Sequence, residues 1–161
     1  MIPEVLLTAA LMCKPNSSRA TSPAAGYVAS QCDRSREDLQ RSVYFGGVFD
    51  ELRVIFVQCR EQNWDSYGAS AIKEETYCNV RRLLESLWLR TPTPSIGAEP
   101  DGYLTLEWYV ASRRTLSVSV STDGYLHYAA LLDDSKAYGS EPFSAEVPAA
   151  ILNLIQQVYA A

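Results

Sequence analysis

The sequence predicts an α+β fold, with an antiparallel β-meander of about four to five strands packed against N-terminal helices and one C-terminal helix. Three observations carry that expectation. Apolar residues recur at helical spacing up to Trp88. The period changes to two after Thr91-Pro92-Thr93-Pro94, and helical spacing returns after Pro148.

Residues 1–32 read as a leader or loosely attached segment, and 33–161 as a single α+β domain. The stretch from 13 to 33 is rich in Ser, Ala, Pro and Asn, a loop composition. Asp33 or Ser35 is placed to cap a first helix, on which Leu39 and Val43 form a short apolar stripe before Gly46-Gly47 interrupts it. A second helix is expected from about Asp50 to Gln62, because Phe49, Leu52, Phe56 and Cys59 recur at helical spacing. The β-branched run Val54-Ile55-Phe56-Val57 makes a strand the competing reading there. A third helix, Lys73 to Trp88, lines up Tyr77, Val80, Leu84 and Leu87.

The strands follow. Ser95 to Ala98 reads as an edge strand before the turn Pro100-Asp101-Gly102. From Tyr103 to Val110, Leu104, Leu106, Trp108 and Val110 alternate with Tyr103, Thr105, Glu107 and Tyr109. Leu116, Val118 and Val120 alternate with Ser117, Ser119 and Ser121, which puts the serines on an exposed face. Asp123-Gly124 supplies two positive-φ positions for a type I′ turn, and Tyr125 to Leu132 is the partner strand. A turn at Asp133-Asp134-Ser135 leads to a strand near Tyr138 to Phe143. Turns this short force antiparallel neighbours. After Pro148 the stripe Ile151, Leu152, Ile155, Val158 forms the closing helix.

Composition narrows function by exclusion. A chain of 161 residues, 47% hydrophobic and 20% charged, has room for one core and is not a disordered polymer. Its net charge of −5 repels phosphate, and the arginine pairs 34/36, 81/82 and 113/114 do not gather into a run, so no nucleic-acid partner is expected. The apolar run Val5 to Met12 is short for a signal peptide, carries no basic n-region and precedes Cys13 with a bulky residue, so a cytoplasmic location without a membrane span is expected. Cys13, Cys32, Cys59 and Cys78 contain no C-x-x-C pair, and the single histidine, His127, completes no usual zinc set. Neither a metal nor a cofactor is expected, and the cysteines read as reduced thiols.

Three groups of residues invite a functional reading, each beside a structural one. The segment Asn63-Trp64-Asp65-Ser66-Tyr67-Gly68-Ala69 joins two helices. Asn63, Trp64, Asp65 and Tyr67 suit a ligand or a protein partner, or else a rigid connector in which the carboxylate and amide hold backbone donors, Gly68 takes a special conformation and Trp64 plugs the core. Glu107 and Tyr109 share the strand face opposite Trp108, where Glu107 is a surface charge, or a general acid or base if that face lines a cleft. His127 lies on the side of Tyr125 and Ala129 and, without a nucleophile motif around any serine, reads as structural or surface histidine. No dinucleotide, phosphate-loop, zincin, nucleophile-elbow or EF-hand motif is present, and no catalytic residue is assigned.

Asn63 to Ala69, Asp101-Gly102, Glu107-Trp108, Leu116-Ser117-Val118 and Asp123-Gly124 together resemble a group of small uncharacterised bacterial proteins. Its members carry an Asn-Trp-Asp-Gly-Tyr-Gly-Ala-like loop between two helices, and the resemblance spans about residues 50 to 158. Ser66 stands where that group has glycine, which suits a position of negative φ. The resemblance implies a small intracellular bacterial domain carried on mobile DNA, with no established activity. The expected function is therefore a non-enzymatic protein-interaction module of the antitoxin or immunity kind, with a protein partner or a homodimer. The alternative is a small-molecule-binding protein or unrecognised enzyme, its pocket between the 63–69 loop and the sheet and its site built on Asp65, Tyr67, Glu107 and His127.

Overall fold

The structure, a computed structural model, describes residues 22–144 and 146–160. The run Val5 to Met12 and Cys13 lie outside the described residues. The chain divides between Glu37 and Asp38 into two units. In the first, Pro23–Glu37 is helical, and the Ser30 hydroxyl donates to the Tyr27 carbonyl. The second, from Asp38 onward, holds the core and the sheet.

Helix α1 runs Pro23–Cys59, α2 Glu74–Ser86 and α3 Ala149–Tyr159; strands β1 to β5 are Ser95–Ala98, Leu104–Ala111, Arg114–Val120, Tyr125–Leu132 and Ser135–Pro142. The five strands form one sheet in sequence order, every neighbour antiparallel, so the fold is the α+β meander that the change of period predicts. No helix among the described residues is long and apolar enough to cross a membrane.

The helical reading needs one correction. Gly46-Gly47 does not break the chain into two helices, and the helix starts at Pro23 rather than Asp33. Interior glycine costs about 1 kcal/mol against alanine, which a well-packed helix offsets. Here Phe45, Val48, Leu52 and Cys59 make one buried stripe that crosses both glycines. The Arg41 guanidinium donates to the carbonyls of Glu85 at 2.6 Å and Leu87 at 2.7 Å. It thereby satisfies free acceptors at the end of α2 and ties that end to α1.

One face of the sheet supplies the core. Leu104, Leu106, Trp108, Leu116, Val118, Val120 and Leu126 are all fully buried beneath the helices, with α2 and α3 packing on β2 and β3. The ring of Tyr128 lies over its cross-strand partner Gly139 and shields the core at the β5 edge; a Cβ at Gly139 would stand 2.5 Å from its Oη. The Asp123-Gly124 turn differs from a type I′ turn, because only Gly124 has positive φ, at 81°. A single left-handed glycine after a tighter turn makes a longer hairpin loop. The Asp123 carboxylate, bonded to the Ser121 hydroxyl and the Tyr125 N–H, holds it. Its acidity is strengthened by those same bonds.

Candidate functional site

The connector after α1 is built from its own polar atoms. Asp65 Oδ1 accepts the Tyr67 N–H at 2.8 Å and the Ala69 N–H at 3.0 Å, and Asn63 Oδ1 accepts the Gly68 N–H at 2.7 Å. Asn63 and Ser66 both have positive φ, at 63° and 66°, with Gly68 at 100°. Ser66 therefore occupies the conformation that favours the glycine of the resembling group, contrary to the negative φ expected of it. Trp64 packs against the core while its Nε1–H donates to the Ser70 carbonyl at 3.0 Å. Tyr67 projects from the tip with 94% of its surface exposed.

The two backbone N–H groups bonded to Asp65, Tyr67 first and then Ala69, hold its carboxyl below the usual carboxylate range. Because the folded value is the lower one, this stabilisation is present above the unfolded value of about 3.9 and is lost as pH falls through the folded value. Chemical denaturation of wild type and Asp65→Asn should show the wild type more stable near neutral pH. The gap between their midpoints should narrow as pH falls below the ordinary carboxylate value and close once Asp65 is protonated in the folded protein. A constant gap across that range would assign the effect of Asp65 to shape rather than charge.

Glu107, Tyr109 and His127 lie together on the sheet face opposite the core. Glu107 shares a row with Ser117, Ala129 and Tyr138, while His127 shares the next with Thr105, Ser119 and Ser140. Ser117 and Ser119 are half-buried and Ser121 is buried, so the serine face is less open than its alternation implies. The neighbouring strands carry the larger groups. His127 stacks with Tyr103 at 6.0 Å and with Tyr125 at 6.5 Å between ring centroids. The Ser119 hydroxyl donates to Glu99 Oε1 at 2.6 Å, and Thr105 bonds the same oxygen. That bond directs the serine proton toward a carboxylate and away from His127, so these groups do not form an activated serine. Glu107 accepts a 3.4 Å bond from Thr115. No hydrogen bond of the described residues joins Asn63, Trp64, Asp65 or Tyr67 to Glu107, Tyr109 or His127. The loop and the sheet face are two separate groups.

A third surface was not singled out from the sequence. Leu39 and Val43, the short apolar stripe of the first helix, are 68% and 86% exposed, and Trp88 just beyond α2 is 59% exposed. Val43 precedes Leu52 by nine residues, about two and a half helical turns, and so points away from the core stripe. Trp88, Leu89, Arg90, Ile155, Gln156 and Tyr159 line a depression of about 340 Å³. Leu39, Val43 and Tyr44 line a second of about 410 Å³, which shares Leu89 and Arg90 with the first. Burial raises the Tyr159 phenol above its ordinary range, and the nearby Tyr44 adds to this, which places the two tyrosines at the join. The Arg41 bonds described above bring these segments side by side.

Elsewhere, burial raises the Cys59 thiol and makes it a poor nucleophile. No protein-family model matches the chain, and neither a curated protein nor a solved structure does so.

Proposed function

We propose that the chain is a non-enzymatic protein-interaction module, acting in the cytoplasm as an accessory protein of the antitoxin or immunity kind, and that it binds its partner through the surface around Trp88. The observation that supports this reading is the exposed Trp88, whose depression shares Leu89 and Arg90 with the one lined by Leu39, Val43 and Tyr44. Continuous apolar surface of this kind is costly to leave in water, and tryptophan and tyrosine dominate the energetics of protein interfaces. The loop at Asp65 supports the reading indirectly. Its polar groups are spent on its own backbone, which weakens the alternative of a pocket between loop and sheet.

The test compares quantitative capture from native lysate by wild type, Trp88→Ala and Tyr109→Ala. A specific protein retained by wild type should be lost from Trp88→Ala, since a hot-spot tryptophan is worth about 2 kcal/mol or more, some thirtyfold in affinity. Capture unchanged in Trp88→Ala would sink this assignment of the surface. Loss with Tyr109→Ala alone would move the interface to the open sheet face.

A further inference from the structure

The two depressions beside Trp88 share Leu89 and Arg90, so they form one apolar surface with a cation at its centre. Among the described residues, no aspartate or glutamate lines either depression. The polar side chains that do are neutral, chiefly Gln40, Gln156, Thr91 and the phenols of Tyr44 and Tyr159. Most other arginines of this unit are engaged, and Arg82, which is not, lies at a different surface beside Glu74 and Glu75. Arg41 holds the end of α2, while Arg53, Arg60, Arg81, Arg113 and Arg114 each pair with an acid. Arg90 has no hydrogen-bond or ion-pair partner among the described residues. It also sits at φ 76°, a conformation that glycine or asparagine adopts with less strain, in the turn closed by the Thr91 N–H on the Trp88 carbonyl. A long cation at that position is held beside the apolar surface, on a chain whose net charge is −5.

We infer that the occupant of this surface is a segment of a partner protein that combines apolar side chains with a carboxylate, the apolar part lying on Trp88, Leu89 and Val43 and the carboxylate meeting Arg90. The inference rests on the interaction reading above and adds the chemistry of the partner. Charge complementarity selects the acid. A basic segment would bring a second cation against Arg90, with no aspartate or glutamate among the described lining residues to receive it. A neutral one would leave the arginine partly desolvated without a counter-charge. Tyrosine hydroxyls at the join supply donors for the second carboxylate oxygen.

Three blocked peptides test this, each with the same leucine-serine frame and a central glutamate, glutamine or lysine, titrated by calorimetry into the full chain. The glutamate peptide should bind about tenfold or more tighter than the lysine peptide, and Arg90→Glu should reverse that order. Arg90→Gln should bring the affinities together, and circular dichroism checks that each variant is folded. Equal affinities in wild type, a preference for lysine, or no binding by any peptide would overturn the inference. Sedimentation of the protein alone adds an independent arm. A dimer dissociated by Val43→Asp would identify a second copy as the occupant, overturning the acidic-segment inference while keeping the interaction reading. Failure of that reading is distinguishable, because it requires capture to be insensitive to Trp88→Ala.

Discussion

Trp108→Ala is expected to destabilise the protein by about 3–5 kcal/mol, a large share of the 5–15 kcal/mol that holds a typical domain folded. Trp108 is fully buried on β2 opposite Leu116. The indole also donates to the Pro92 carbonyl at 2.7 Å, fixing the proline-rich segment that leads into β1. Loss of the ring therefore removes apolar contact and a tether together. Trp108→Phe separates the two, since it keeps most of the volume and should cost about 1–2 kcal/mol through the missing bond and the altered shape. Tyr109→Ala, one residue on and 60% exposed, should stay within about 0.5 kcal/mol of wild type. Urea denaturation of the three variants checks the order. A Trp108→Ala protein as stable as Tyr109→Ala would mean that the sheet face is wrongly assigned.

That contrast between adjacent residues is where the sequence is most legible. A strand alternates its side chains with a period of two, so Leu104, Leu106 and Trp108 can be assigned to one face before any contact is known. The helices are less transparent because the phase of a stripe depends on which residue anchors it. Leu39 and Val43 look like a stripe, but Phe45, Val48, Leu52 and Cys59 define the buried side, and no count along the sequence selects between them. The same ambiguity hid the surface at Trp88, which needs α1 and the end of α2 to be brought together by Arg41. Left-handed backbone is also invisible in composition. Ser66, Arg90 and Asp133 adopt it without being glycine, while Asp123, beside a glycine in a turn, does not. Of the candidates read from the sequence, Asn63, Trp64, Asp65 and Tyr67 do share one loop, and Glu107, Tyr109 and His127 one sheet face. What joins residues into a site is tertiary, and the structure keeps these two groups apart.

Ile151→Asp should abolish the folded state, with Asn153→Asp as the matched control that leaves it intact. Ile151, Leu154, Ile155 and Val158 recur at intervals of three, one and three residues, the spacing that puts them on one side of a helix, and all are buried against β2, β3 and β4. Leu152, which the simple stripe includes, is only half-buried and turns toward the depression beside Trp88. Deleting the isoleucine side chain alone costs about 2–5 kcal/mol, and an unpaired buried carboxylate adds several kcal/mol more, a sum comparable with the whole stability of a domain. Asn153 lies exposed on the far side, so the same new charge there meets water. Near-ultraviolet dichroism and thermal melts distinguish the pair. If Ile151→Asp retained a cooperative melt, α3 would be an appendage, and the sheet would have to bury its apolar face without it. The Arg114 guanidinium, which reaches the Gln157 carbonyl in the last turn of α3 at 3.2 Å, cannot supply that cover. An exposed hydrogen bond fixes where the helix ends, while the apolar stripe determines whether it docks at all.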